Sequence, residues 1–270
     1  MIEMFRLPFM LQALLASLLL STTLAYFGIH VVLRRIVFVD LALAQISAVG
    51  VAAALLLGQD PTVLSLVFTL TGAALLSIRT KEERIPQEAI MGIVYAVASA
   101  VAILLVAKTP HGEADVLKIL FGNILAVTTE QIIQMAIVFG LVGILHVILF
   151  SRFLQISLNP EEFYRQRSNA SWWNFLFYLS LGLVIALAIR SGGVLLCFSW
   201  LIIPAVTSML FSRQCGTMLA IAWALGAASS ILGLYFSFLL DLPTGSATIC
   251  TLGLALLLAG AGKALFKRIL

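Results

Sequence analysis

Charge is scarce in this chain of 270 residues. Only 10% of the residues are Asp, Glu, Lys or Arg, whereas 62% are hydrophobic and the mean hydropathy is +1.12. This composition leaves too few polar side chains to cover a water-soluble globule. Because about 20 apolar residues of helix cross the hydrocarbon core of a bilayer, a chain of this length can cross it many times. The scarcity of charge therefore predicts an all-α polytopic membrane protein in a lipid bilayer.

Nucleotide-binding motifs and metal-ligating cysteines are missing as well. The chain contains no Gly-x-x-x-x-Gly-Lys-Ser/Thr loop for phosphates, and its polar connections are too short for a folded catalytic domain. Cys197, Cys215 and Cys250 lie in or beside apolar segments and share no metal-ligand spacing. We therefore expect no enzyme activity and no cofactor in this chain, and any ATP would be bound by a partner subunit.

Nine apolar segments are separated by polar residues. They run over residues 8–33, 40–58, 61–78, 88–107, 131–150, 174–190, 193–211, 217–240 and 244–264. The first lacks a cleavage site followed by a soluble domain, so we expect it to be a retained helix. We predict eight to nine transmembrane helices in a single domain over residues 1–270.

Basic residues, 16 against 12 acidic ones, flank the apolar segments instead of forming a stripe. They therefore indicate orientation in the membrane, and no nucleic acid is expected as a partner. The positive-inside tendency predicts that the cytoplasmic connections are 34–35, 79–84, 152–167 and 213, together with the C-terminal end. The connections 58–61, 108–130, 190–193 and 241–245 are then predicted to lie outside.

An acid stands at the start of the second segment. Asp40 precedes Ser47 by seven residues, about two helical turns, so the two share a helix face, and Gln45 lies between them in the sequence. An acid in a span suggests a substrate path, because at the bilayer centre it costs roughly 3 kcal/mol. Alternatively, Asp40 caps the helix N-terminus, where the helix dipole stabilises a carboxylate. Asp40, Gln45 and Ser47 are our candidate path residues.

The predicted outer loop contains an imidazole and two carboxylates within five residues, His111, Glu113 and Asp115. Imidazole with carboxylate suits zinc, and carboxylate oxygens suit manganese. The loop is therefore a second candidate for contact with a metal ion, although a polar outer connection of any membrane protein has similar residues.

A cytoplasmic segment is predicted to form a short amphipathic helix. Asn159 resembles a helix cap, followed by Pro160 and the acids Glu161 and Glu162 in the first turn. Phe163 and Arg165 complete a face that could dock into a groove of a soluble partner. The alternative is a helix that lies on anionic lipid.

Helix breakers and solitary histidines complete the candidates. Pro204 and Pro243 interrupt the backbone hydrogen bonds of a helix and allow a span to bend. His30 and His146 each stand alone in an apolar segment, so we expect them to form hydrogen bonds between helices and not to bind a metal.

Four ordered motifs resemble the bacterial ABC-type zinc, manganese and iron permease family. They are Val32-Leu33-Arg34-Arg35; Leu120-Phe121-Gly122-Asn123-Ile124-Leu125; Gly193-Val194-Leu195-Leu196 through Ile202-Ile203-Pro204-Ala205; and Asp241-Leu242-Pro243-Thr244-Gly245. The resemblance covers nearly the whole chain. It implies the membrane-spanning subunit of an ATP-driven importer of divalent metal ions in the inner, or cytoplasmic, membrane of a bacterium, working by alternating access.

The resemblance also implies partners. They are two cytoplasmic ATPase subunits, an extracytoplasmic metal-binding protein and a second permease copy, which would make a homodimer. The segment from Asn159 to Arg167 looks like the family's Asp-Pro-Glu segment, which implies that it couples to the ATPases. Asparagine stands there in place of the usual aspartate, and Arg167 in place of the usual glycine.

The second span departs from the family pattern Gly-Asp-x-x-Ser-His. Leu41 and Gln45 occupy the places of the usual aspartate and histidine, and Asp40 lies one position earlier, about 100° away around a helix. This departure keeps open an ABC permease for a non-metal or chelated cargo. A secondary transporter is less favoured because acids other than Asp40 lie in or beside loops. An intramembrane protease is disfavoured because neither histidine has a Gly-x-Ser context.

Overall fold

The computed structural model describes residues 6–78, 85–108, 122–166 and 169–269. Within these ranges the regular structure is helical and contains no strand. The helices are α1 (Pro8–Leu33), α2 (Val39–Leu57), α3 (Pro61–Leu76), α4 (Gln87–Val106), α5 (Thr129–Ile148), α6 (Phe150–Leu158), α7 (Pro160–Gln166), α8 (Ala170–Phe211), α9 (Cys215–Leu240) and α10 (Thr244–Ile269); a 3-10 turn, Ile124–Ala126, precedes α5.

Every predicted apolar segment corresponds to a helix or to part of one, which confirms an all-α polytopic membrane protein. Among the described residues, seven helices are long and apolar enough to cross a membrane. This count is lower than eight to nine because segments 174–190 and 193–211 are joined in the 42-residue α8, and α3 has only 16 residues. Within α8, Gly193 has non-helical dihedral angles, φ 76° and ψ 165°. The stretches on either side of it are each close to the length that spans a bilayer.

The turn between α2 and α3 is specified by two residues, Gly58 and Asp60. Gly58 ends α2 with a left-handed φ of 63°, and its N–H donates to the carbonyl of Ala54. Asp60 then caps α3, its Oδ1 accepting from the N–H groups of Thr62 at 2.6 Å and Val63 at 3.2 Å. These hydrogen bonds lower the pKa of Asp60 below its usual value, and the positive charge of Arg190 adds a smaller effect in the same direction.

The chain divides into two compact units. Unit 1 comprises Met1–Val32, Phe121–Gly140 and Ser191–Leu270, and unit 2 comprises Leu33–Leu120 and Leu141–Arg190. Each unit is built from segments distant in the sequence, so its core forms only after long-range contacts are made. The prediction of a single domain over residues 1–270 stays a prediction.

Unit 1 packs through small residues and a few large apolar ones. Met10 and Ala13 of α1 are buried against Leu234 of α9. A Cβ atom added at Gly226 of α9 would lie only 3.2 Å from the Cβ of Ser21 on α1. Such small contact residues let helices approach closely, which is how helices gain van der Waals contact where lipid offers no hydrophobic driving force.

Unit 2 is built around α2, which packs against both α3 and α4. A Cβ atom at Gly50 would lie 2.7 Å from the Cα of Ser65 on α3 and 2.9 Å from the carbonyl oxygen of Leu64. On the same helix pair, Gly72 of α3 lies against the side chain of Ile46. The α2 and α3 backbones are therefore in direct contact, and the helix that carries the candidate path residues is held tightly by its neighbour.

Candidate functional site

The three candidate path residues all lie on α2 and are all buried. Asp40 is 0% exposed, Ser47 is 3% exposed and Gln45 is 8% exposed. They lie on a helix in continuous helical geometry, so Asp40 and Ser47 share a face two turns apart. Their side chains offer carboxylate, hydroxyl and amide oxygens, which are ligands that hard divalent cations accept.

Asp40 does not cap the helix on which it lies. The N-cap position of α2 is Phe38, which forms no side-chain cap hydrogen bond, and Asp40 is in the first helical turn. Both carboxylate oxygens of Asp40 are buried and have no hydrogen-bond partner within the described part of the chain. A buried carboxylate without such partners is costly. Asp40 therefore does not cap α2 through a hydrogen bond, and it lies in the first turn, where the helix dipole favours a carboxylate.

The second candidate site lies outside the described residues. His111, Glu113 and Asp115 fall in the undescribed range 109–121, so their role stays a prediction. Across the described ranges, no group of three or more His, Cys, Asp or Glu side chains is placed so that it could hold a metal ion.

The predicted coupling segment forms a helix at the expected place. α7 begins at Pro160, directly after Asn159, and Glu161, Glu162 and Arg165 are exposed on it. Phe163 is buried, whereas a residue that docks into a partner would be exposed. It is 5% exposed and packs with Ile156 of α6 and Ala170 of α8, with Tyr164 and Trp173 around them. Phe163 therefore anchors α7 to its own unit, and the exposed charged residues are what α7 offers to a partner.

The solitary histidine His146 behaves as predicted. Its Nε2 lies 2.8 Å from the Oγ of Ser180 on α8, and its ring stacks on Phe153 with centroids 4.3 Å apart. His30 is buried and meets Tyr26 edge-on, with centroids 4.9 Å apart. Both histidines are thus part of the packing of their helices.

The break in α8 at Gly193 lies where the sequence predicted the connection 190–193, and the predicted bends at Pro204 and Pro243 lie elsewhere. In α8 the non-helical residue is Gly193, whereas Pro204 lies eleven residues later in helical structure. Pro243 lies in the connection between α9 and α10, where its carbonyl accepts from the N–H of Ala247 at 3.0 Å. The adjacent glycines Gly192 and Gly193 were the available signal, because glycine readily adopts a positive φ.

A cavity of about 410 Å³ in unit 1 brings three sequence motifs together. Its lining residues are Gly122 to Leu125, Gly192, Leu195, Leu196, Leu242 to Ser246, and Ile249. These residues belong to the connections 108–130, 190–193 and 241–245 or follow them directly, and all three connections were predicted to lie on the same, outer side. The backbone at Gly122, where φ is 60°, lies against the backbone of Gly192 and Gly193. A Cβ atom at residue 122 would overlap these two residues, so this contact requires glycine.

Comparison with known proteins identifies relatives over nearly the whole chain. Residues 6–263 match the ABC 3 transport family. The manganese transport system membrane protein MntC of Listeria innocua is 28% identical over 241 residues, covering 89% of this chain and 86% of that protein. The manganese import system permease protein ScaB of Streptococcus gordonii is 28% identical over 255 residues, covering 93% of this chain and 90% of that protein.

A solved structure has the same architecture. The structure of PsaBC from Streptococcus pneumoniae in complex with Fab superimposes with a TM-score of 0.81 at 26% identity, covering 95% of this chain and 92% of that chain. The similarity of sequence and of fold therefore extends over the same residues.

Proposed function

The chain belongs to the ABC 3 transport family, and on that basis we propose that it is the membrane-spanning permease subunit of an ATP-driven importer of divalent metal ions. The observation that supports this most strongly is the family match over residues 6–263, which covers most or all of each described helix long and apolar enough to span a membrane. The chain itself carries no phosphate-binding loop. ATP hydrolysis is thus assigned to partner subunits, and this chain supplies the path.

Manganese is the cargo that we propose first. Relatives 28% identical to this chain are named as manganese transport proteins. The residues on α2 agree with this choice, because Asp40, Gln45 and Ser47 offer oxygen atoms, and oxygen ligands suit manganese better than they suit zinc, which favours nitrogen and sulfur. Zinc, iron and a chelated metal remain the alternatives.

The path that we propose uses Asp40 as the charged contact. Among the described residues, neither carboxyl oxygen of Asp40 has a hydrogen-bond partner, so both oxygens can contact a cation, whose charge would offset the cost of ionising a buried carboxyl group. Alternating access requires that this contact open first to one side of the membrane and then to the other. The break in α8 at Gly193 and the later Pro204 are the places where we expect spans to bend during that change.

The partners follow from the same assignment. We propose that cytoplasmic ATPase subunits contact the exposed charged residues of α7, Glu161, Glu162 and Arg165. An extracytoplasmic metal-binding protein would deliver its cargo at the cavity of unit 1, which is lined by connections predicted to lie outside. A second copy of the permease would complete the path in the inner membrane of a bacterium.

The cargo can be tested in cells. The chain is produced with its cognate ATPase and metal-binding protein in a bacterium that lacks its own manganese and zinc importers, and the cellular content of manganese, zinc and iron is measured. We expect manganese to rise relative to a strain whose ATPase has lost its catalytic carboxylate. A rise in zinc or iron alone would show that this metal, and not manganese, is the cargo. No rise in any metal would favour a non-metal cargo.

A further inference from the structure

Arg34 connects three parts of unit 2 that are distant in the sequence. It lies in the turn between α1 and α2, and its guanidinium donates from Nε to the Oγ of Ser157 at 2.8 Å. The same group donates to the Oδ1 of Asn174 at 3.2 Å and to the carbonyl of Phe153 at 3.4 Å. The guanidinium carbon also lies 3.6 Å from the centroid of the Phe177 ring. We name these five residues the Arg34 cluster.

The partners of Arg34 are shielded from solvent. Phe153 and Phe177 are 0% exposed, Ser157 is 1% exposed and Asn174 is 6% exposed. Water therefore competes little for these hydrogen bonds, and bonds from a charged donor are stronger than neutral ones in such surroundings. The planar guanidinium can donate in several directions while its face lies on an aromatic ring, which an ammonium group cannot reproduce.

The Arg34 cluster lies between the coupling helix and the start of the path helix. Phe153 and Ser157 belong to α6, which leads through Asn159 into α7, and Ile156 of α6 packs on Phe163 of α7. On the other side, Arg34 precedes Val39, the first residue of α2, by five positions. A continuous series of contacts therefore leads from α7 through α6 to the guanidinium, and the chain leads from there to the turn that begins α2.

Further hydrogen bonds join α8, the end of α3, α4 and the turn before α2 into one connected layer of unit 2. Asn174, which accepts from Arg34, donates through Nδ2 to the carbonyl of Ser77 after α3, at 2.7 Å. The turn before α2 is tied to α4, because the N–H of Val37 donates to Glu88 Oε1 at 3.3 Å. This layer fixes the start of α2 relative to the helices around it.

The turn itself supports a specific role for Arg34. The next residue, Arg35, has a left-handed φ of 55° although it is not glycine, and it is exposed. A left-handed conformation is unfavourable for a residue with a Cβ atom. The contacts of Arg34, the preceding residue, are therefore placed to stabilise this turn.

We infer that Arg34 is the positioning residue that passes movement of the α7 coupling helix to the start of α2, where Asp40 lies. This inference rests on the proposed function, because it requires that ATPase subunits act on α7. Arg34 touches no cargo in this account. It keeps α6, α8 and the α1–α2 turn moving as one body, so that ATP hydrolysis changes the access of the path.

The test compares three variants of the intact transporter in proteoliposomes: Arg34→Gln, Arg34→Lys and the control Arg35→Gln, which makes the same change one residue later at an exposed position. The measured quantity is manganese taken up per ATP hydrolysed. Because Arg34→Gln removes several hydrogen bonds of a charged donor, we expect this ratio to fall about tenfold or more. We expect Arg34→Lys to stay closer to Arg34→Gln than to the unaltered chain, and Arg35→Gln to stay within about twofold.

Two results would overturn the inference. One is a ratio for Arg34→Gln that equals that of Arg35→Gln, with both variants folded and bound to the ATPases as judged by thermal unfolding and co-purification. The other is full recovery by Arg34→Lys, which would reduce the role of Arg34 to that of a positive charge.

A distance measurement separates this inference from the choice of cargo. Spin labels are placed at Phe38 and at Leu158, the last residue of α6 before the coupling helix, both exposed, after the three cysteines have been replaced. If the end of α6 and the start of α2 move as one body, the distance between the labels is the same without nucleotide and with ATP bound, and Arg34→Gln broadens its distribution. A distance that already changes in the chain with Arg34 intact would contradict the inference, even if no metal is transported.

Discussion

At the scale of single residues, Asp40 is the side chain whose presence most needs an explanation. Folding buries its carboxylate completely, and within the described residues neither oxygen has a hydrogen-bond partner. Because burying an ionisable carboxyl group without a partner is costly, replacing it is expected to stabilise a protein, not to weaken it. A residue kept at a cost to stability is typical of functional sites. Stability and transport should therefore respond to its substitution in opposite directions.

Asp40→Asn tests this expectation with almost no change in shape. We expect the variant to unfold at a higher temperature than the unaltered chain, because the cost of burying an ionisable carboxyl group is removed. We also expect manganese uptake to fall about tenfold or more, because a cation loses its charged contact. Thermal unfolding in detergent and uptake in proteoliposomes are measured on the same preparation.

Asp60→Asn is the matched control for that substitution. It makes the same chemical change at an exposed aspartate that caps α3, and we expect uptake to be retained. If Asp40→Asn retained uptake as well, Asp40 would not be part of the path. If it lost stability and uptake together, its role would be structural.

At the scale of elements, the position of α2 depends on its close contact with α3. Gly50 faces backbone atoms of α3, the Cα of Ser65 and the carbonyl oxygen of Leu64. Backbone atoms cannot move aside in the way that the end of a flexible side chain can. A single methyl group there must push the two helices apart. Overpacking of this kind typically costs about 1–3 kcal/mol.

We therefore expect Gly50→Ala to lower the thermal unfolding temperature and to reduce uptake, because Gln45 and Ser47 are carried on the same helix. The control is Gly92→Ala on α4, where no atom lies within 4 Å of the added Cβ. That substitution is expected to be neutral or stabilising, since alanine is a better helix former than glycine. Equal effects of the two substitutions would mean that the contact between α2 and α3 does not constrain the site.

The helices themselves were largely predictable from the sequence. The segment predicted at 8–33 is α1, and that predicted at 217–240 differs from α9 only at its first residues. Runs of apolar residues interrupted by charge specify spans directly, because lipid admits little else. The break between segments 174–190 and 193–211 was also predictable, since Arg190 and two glycines resemble a turn. What the sequence did not indicate is how local the break is, because only Gly193 has non-helical dihedral angles within α8.

The candidate site was predictable only in part. That Asp40 is buried follows from its place in an apolar segment, but its lack of hydrogen-bond partners depends on the residues around it in three dimensions. Arg34 was interpreted from the sequence as a flanking positive charge. Its acceptors lie 119 to 140 positions away along the chain, so no local pattern could indicate them.

At the scale of the whole molecule, each unit gathers connections that were predicted to share a side of the membrane. In unit 2, Arg34 forms a hydrogen bond with Ser157, and both residues belong to connections predicted to be cytoplasmic. In the same unit, the charge of Arg190 lowers the pKa of Asp60, and both of these residues belong to connections predicted to lie outside. In unit 1, three predicted outer connections line one cavity. The pattern of basic residues and the packing therefore agree on which connections belong together, as a permease with two distinct faces requires.

The most direct test of the account is manganese accumulation in proteoliposomes that contain this chain with its cognate ATPase subunits and metal-binding protein. We expect accumulation that requires ATP hydrolysis and stops when the ATPase is inactivated. An intact complex that hydrolyses ATP and accumulates no manganese, zinc or iron would contradict it.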